Sequence, residues 1–105
     1  MSDLQVCIQL RLEPGCMGPQ GKDHIEAFCQ KENTAPWQNH FAIVSVVPRY
    51  DKTLPEWEYR LKNKLLKAEQ ANRVVEMHNT SKADLEEEIE THIAHEIDRY
   101  MEGKL

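Results

Sequence analysis

One stretch, residues 4–28, constrains the fold more than any other part of the chain. Apolar and polar residues alternate over residues 4–12, which is the period-two pattern of a strand with one buried face. A glycine-rich loop over residues 14–22 follows, and Asp23 and Glu26 then have the spacing of a capping box at a helix start. A strand that leads through a short loop into a helix predicts a β-α unit and therefore an α/β fold.

The rest of the chain supplies further strands and helices. A nearly continuous apolar run predicts a central second strand, and Trp57 and Tyr59 alternate with charged residues in a third. Apolar residues three and four positions apart predict the helices, and the last helix carries an apolar ridge from Leu85 to Met101. The predicted elements are strands over 3–12, 39–47, 57–61 and 65–66, and helices over 22–32, 67–78 and 81–103.

The predicted order is β-α-β-β-(β)-α-α. Such an order indicates an α/β (α+β) two-layer sandwich, in which a small mixed sheet of three to four strands is covered by three helices. We expect the first two strands to be parallel neighbours. A chain of 105 residues is expected to form a single α/β domain over residues 1–105.

The charge balance argues against a direct nucleic-acid partner. The net charge is −5, and the densest group of cations is Arg60, Lys62, Lys64 and Lys67. Nearby glutamates offset that group, so we interpret it as a solvated edge rather than a phosphate-binding stripe.

No apolar run approaches the about 20 residues that a membrane helix requires, and no basic-then-apolar signal segment is visible at the N-terminus. We therefore expect a cytoplasmic protein without a membrane partner. Cys7, Cys16 and Cys29 have no paired C-x-x-C spacing, so a zinc ribbon is disfavoured and reduced thiols are expected.

The glycine-rich loop offers two weak chemical hypotheses. Backbone N–H groups near Gly18 and Gly21, next to Lys22, can bind a phosphate or carboxylate, although the spacing departs from both P-loop and dinucleotide patterns. Cys16 can act as a nucleophile with His24 as its base, and His40 can approach the same edge. A small ligand-binding domain or enzyme is thus the alternative function, and a purely structural loop is the simpler interpretation.

Four residues of the last helix have the spacing of metal ligands on one side. Glu88, His92, His95 and Glu96 lie at i, i+4, i+7 and i+8, and carboxylates and imidazoles at such steps can bind zinc. The histidines can equally be boundary residues beside the apolar ridge. Metal binding through His92 and His95 is the second alternative, and we otherwise expect no cofactor.

The leading prediction is a small cytosolic accessory protein that acts without catalysis by binding another protein, or a second copy of itself as a homodimer. Two surfaces support it, namely the acidic side of the last helix and the aromatic residues around the loop before the third strand. Ordinary solubility and core packing are the competing explanations. The predicted interface residues are Trp37, Tyr50, Trp57, Glu86, Glu87 and Glu90.

Overall fold

The mixed α/β class and the order of the elements are confirmed by the computed structural model, which describes residues 5–103. Positions 3 and 4 of the predicted first strand lie outside the described residues. A short 3-10 helix, Pro14–Met17, separates the first strand from the first helix. The strands are β1 (Val6–Leu12), β2 (Ala42–Pro48), β3 (Trp57–Leu61) and β4 (Lys64–Leu65), and the helices are α1 (Gly21–Thr34), α2 (Ala68–Glu76) and α3 (Lys82–Glu102).

The strands form one sheet in the order β2-β1-β3-β4. The prediction of a central second strand is wrong, because β2 lies at an edge of the sheet and its apolar run is fully buried only at alternate residues. β1 is parallel to β2, as predicted, and antiparallel to β3. β3 and β4 form a hairpin whose turn residues, Lys62 and Asn63, have φ angles of 54° and 66°. Positive φ at both central residues is the geometry of a type I′ turn, which matches the twist of the paired strands.

One face of the sheet carries the core, and the helices cover that face. Alternate residues of β1 and β2 are buried, while Cys7 and Ser45 point to the opposite face and are exposed. The apolar ridge of α3 is buried at Leu85, Ile89 and Ile93. The largest fully buried side chains of the core are Val6, Ile8, Ile25, Phe28, Val46, Val75, Leu85 and Ile89.

β2 begins three residues later than predicted. The Asn39 side-chain oxygen accepts hydrogen bonds from the N–H groups of Phe41 (2.9 Å) and Ala42 (2.8 Å). An Asn side chain that bonds to the backbone two and three residues on forms a turn in place of a ladder. The strand therefore starts only at Ala42.

α1 begins at Gly21, and the predicted Asp23 cap is wrong because no side chain caps this helix. The Asp23 N–H instead donates to the Gln20 carbonyl at 3.0 Å. A Cβ atom at Gly21 would lie 1.6 Å from the Pro14 oxygen, so only glycine allows this close approach of loop and helix.

The boundaries of α3 agree with the sequence. The Ser81 side chain accepts a hydrogen bond from the Asp84 N–H at 3.1 Å, and Asn79 has the predicted left-handed conformation, with a φ of 63°. Among residues 5–103, no helix is both long enough and apolar enough to cross a bilayer.

The loop between β2 and β3 is held by two arginines. Arg11 lies on the same face of β1 as Cys7 and Gln9, yet it is only 9% exposed. Its guanidinium donates to the Pro55 carbonyl at 2.7 Å and to Glu58 at 2.9 Å. Arg49 donates to the Leu54 carbonyl at 3.2 Å. The loop is thus tied back to the end of the sheet.

Candidate functional site

An apolar groove lies between the β3–β4 hairpin and α2, and we call it the basic groove. It has a volume of about 490 Å³. Its apolar lining comes from Leu61 and Leu66 on the hairpin side and from Val74 and Met77 on the helix side. Met77 is 70% exposed, although the other three residues pack against the core. The groove is therefore an extension of the core that no element of the described chain covers.

The cations around this groove give it its name. Lys62, Lys64 and Arg73 line it together with Gln70, and no acidic residue does. None of the three cations forms an ion pair with another described residue. In a chain of net charge −5, this is a local reversal of sign beside exposed apolar surface.

Local backbone geometry positions the groove residues. The type I′ turn places Lys62 at the tip of the hairpin, and Leu66 donates its N–H to the Tyr59 carbonyl at 2.8 Å as the chain leaves the sheet. Val74 on α2 and Met77, the residue that caps its C-terminus, are three positions apart, so they project from the same side. The hairpin and the helix together form the two walls.

The acidic side of α3 is a second, shallower surface. Glu87 and Glu90 are exposed and line a depression of about 600 Å³ together with Ala83 and Ala94. Glu86 differs from its neighbours because its Oε2 accepts a 2.7 Å hydrogen bond from the buried Tyr59 hydroxyl. Part of the predicted acidic interface thus has a structural partner.

The predicted aromatic interface divides in the same way. Trp37 and Trp57 are partly buried and pack against the core. Tyr50 is 61% exposed, and its hydroxyl donates to Glu26 on α1 at 3.0 Å. Of the predicted rings, only that of Tyr50 offers most of its surface to a partner.

The glycine-rich loop uses its own backbone donors. The N–H of Gly18 donates to the Gly15 carbonyl at 3.1 Å, and that of Gly21 donates to the Gly18 carbonyl at 3.0 Å. Lys22 is exposed beside an open hollow of about 430 Å³. Because the N–H groups predicted to bind an anion already donate within the loop, they are poorly placed to bind one.

His24 and His40 pack against different aromatic residues, and the Cys16 thiol has a raised pKa. Burial is the main cause that raises the pKa of the Cys16 thiol, and the Glu13 charge adds to it. The His24 ring packs edge-on against Tyr100 at 5.8 Å, whereas the His40 ring packs against Phe41 at 5.1 Å. A raised thiol pKa disfavours the thiolate that nucleophilic catalysis needs.

The four candidate metal ligands of α3 are also divided. His92 Nε2 lies 2.8 Å from Glu32 Oε2, and Glu32 is only 9% exposed. Glu96 pairs with Arg99 at 3.4 Å, and Glu88 and His95 are exposed. No group of three or more potential metal-binding side chains occurs among residues 5–103.

His92, Glu32 and Glu96 line a cleft of about 260 Å³ between α1 and α3, together with Lys31 and Arg99. Lys31 lies over the Tyr100 ring, with its Nζ 5.9 Å from the ring centroid. Each charged side chain named in this cleft therefore has a hydrogen-bond, ion-pair or aromatic partner. This pairing distinguishes the cleft from the basic groove.

The basic groove was not predicted from the sequence, because the cations of residues 60–67 were considered only with the glutamates near them in the chain. Arg60 pairs with Glu58 at 3.5 Å, as the solvated-edge interpretation implies. Lys62 and Lys64 instead line the same groove as Arg73, which belongs to the next helix. The sequence does show an apolar pair, Val74 and Met77, three positions apart at the end of α2. This pair becomes one wall of a groove only because α2 packs beside the hairpin.

Comparison of the chain with protein-family models, with curated proteins and with solved structures finds no match. The functional argument therefore depends on the geometry of the surfaces described above.

Proposed function

We propose that the chain is a protein-binding domain whose basic groove binds an acidic, amphipathic helix of a partner protein. The observation that carries this proposal is the combination of an uncovered apolar floor with the unpaired cations Lys62, Lys64 and Arg73 on its rim. Exposed apolar surface of this kind is typical of an interaction site.

The chemistry of the lining favours an acidic, amphipathic helix as the partner. Leucine-type side chains of a docked helix would pack on Leu61, Leu66 and Val74, and Met77 can adapt its flexible side chain to them. Carboxylates next to that apolar stripe would pair with Lys62 and Lys64. A helix with apolar residues at i, i+3 and i+4 meets both requirements, since it presents one narrow apolar stripe to a groove.

Titration with a labelled peptide tests the proposal. The probe is a fluorescein-labelled helical peptide with leucine on one face and glutamate beside it. We expect saturable binding, and we expect the combined change Lys62→Glu and Lys64→Glu to weaken it by about tenfold or more. Peptide-induced NMR shifts should map to the hairpin and to α2.

A matched control distinguishes the effect of the groove cations from the effect of the net charge of the protein. Lys22 and Lys52 are exposed and lie outside the groove, so Lys22→Glu with Lys52→Glu makes the same change in net charge. We expect this control to retain nearly all of the affinity. Equal losses in both pairs, or the absence of saturable binding by the native chain, would contradict the proposal.

We propose the acidic side of α3 as a second contact surface, for a basic partner. The alanines Ala83 and Ala94 leave room beside Glu87 and Glu90 for long basic side chains. The change Glu87→Lys with Glu90→Lys should abolish binding of a lysine-rich helical peptide while the fold survives. Glu86 is left unchanged because its carboxylate is bonded to Tyr59.

We infer that the domain works in the cytosol. Cys7, Cys16 and Cys29 are free thiols, which a reducing compartment preserves. An accessory role there requires no catalytic group, and the raised thiol pKa of Cys16 supports binding over catalysis.

A further inference from the structure

Two histidines that are distant in sequence meet at one end of the sheet. The ring of His40, before β2, and the ring of His78, after α2, have centroids 5.9 Å apart. Among the described residues, neither ring has a hydrogen-bond or ion-pair partner. Both imidazoles therefore have nitrogens free to bind another group.

The surrounding residues hold the two rings near one another. The His78 ring stacks on Phe41 with a centroid distance of 4.1 Å and an interplanar angle of 6°. His40 precedes Phe41, and the Asn39 side chain fixes the backbone of this segment by accepting the N–H groups of Phe41 and Ala42. The two histidines are therefore close because the stacking on Phe41 positions His78 and the Asn39 turn positions the backbone of His40.

We propose that His40 and His78 form a binding site for a late first-row divalent metal ion such as Ni²⁺, Cu²⁺ or Zn²⁺. Imidazole nitrogens bind these ions at about 2 Å, which places each ring centroid about 3 Å from the metal. Two imidazoles at a tetrahedral angle then have centroids about 5 Å apart. The observed 5.9 Å is within about 1 Å of that distance.

Metal binding requires one ring nitrogen of each histidine to face the ion. The rings are inclined at 75°, and His40 is exposed, so its side-chain torsions can turn a ring nitrogen toward the ion without moving the core. Water or an external ligand fills the other coordination positions. This site is independent of the basic groove and does not require the proposed acidic partner.

Calorimetric titration of the untagged chain with Ni²⁺ at neutral pH tests the site, because Ni²⁺ favours imidazole over thiolate. We expect one ion per chain. His40→Ala should weaken binding by about tenfold or more and spare the fold, since His40 is exposed. His78→Gln should have the same effect while keeping a flat polar side chain on Phe41.

Two controls identify the ligands. His95 is exposed on α3, so His95→Ala should leave the affinity unchanged, as should Cys7→Ser with Cys16→Ser. Equal affinities in all variants, a loss that follows the cysteines or His95, or no binding by the native chain would overturn the proposal.

Discussion

The two edges of the sheet differ in how their outer backbone groups are used. At the β2 edge, the Asn33 side chain donates to the Val46 carbonyl at 2.8 Å and accepts the Val46 N–H at 2.9 Å. Farther along, the Val44 N–H donates to the Trp37 carbonyl at 2.9 Å. At the other edge, β4 has two residues, and no described side chain bonds to its backbone.

This difference indicates where the molecule can accept a partner. An edge strand with free backbone groups invites pairing with another chain, and proteins usually block it. The β2 edge is blocked at Val46 by the Asn33 side chain and at Val44 by the Trp37 carbonyl. The β4 edge is short and lies beside the basic groove, so its exposure is limited to the surface where we propose binding.

The largest expected effect is a loss of folding stability at alkaline pH. Two buried groups cause it, one on α1 and one on β3. Burial is the main cause that raises the pKa of Cys29, on α1, from 9.0 to about 12. Burial and the bond to Glu86 raise the pKa of Tyr59, on β3, above 10.0. Since both folded-state pKa values are raised, the stabilisation is complete below the ordinary pKa and is lost as the pH rises.

For Cys29, linkage predicts a loss of about 2 kcal/mol in unfolding free energy between about pH 9 and pH 11. Urea unfolding under reducing conditions measures this loss. The pH dependence should shrink in Cys29→Ala from about pH 9 upward and in Tyr59→Phe only above about pH 10. Parallel curves for native chain and variants would contradict the assignment.

The second prediction opens the blocked edge. Asn33→Ala removes both bonds to Val46 and should lower the unfolding free energy by about 1–2 kcal/mol. Asn72→Ala, at an exposed position on α2, is the matched control and should not destabilise the fold. Light scattering should also show concentration-dependent association of the Asn33 variant alone. Unchanged stability would mean that the edge is blocked by other groups.

The third prediction separates stability from binding at the open edge. Lys62 has a positive φ of 54°, which asparagine tolerates better, so Lys62→Asn should raise stability by about 0.5–1 kcal/mol. The same change removes a groove cation and should weaken binding of the acidic peptide. Lys64→Asn lies outside the turn, so it should weaken binding of the peptide without raising the stability of the fold.

The smallest expected change in stability is at Met77. Because this side chain is 70% exposed, Met77→Ser should alter the unfolding free energy by less than about 0.5 kcal/mol. Peptide affinity should nevertheless fall, since the variant removes apolar lining from the groove. Full affinity in this variant would limit the groove to an electrostatic role.

Local features of the fold could be read directly from the residues. The alternation in β1, the ridge of α3, the Ser81 cap and the left-handed Asn79 all depend on residues within a few positions of one another. The start of α1 was predicted to within one residue, but its lack of a side-chain cap was not, because the Asp23–Glu26 spacing does not reveal the close approach of Gly21 to the Pro14 carbonyl.

The sequence by itself determined the order of strands and helices along the chain and the apolar faces of β1 and α3, since periodicity and capping act over one or two turns. Only the tertiary structure decided which side chains meet across long separations. It brought Asn33 to Val46, His40 to His78, and Lys62 to Met77. Such contacts depend on how the elements pack, and packing is a property of the whole core rather than of any segment.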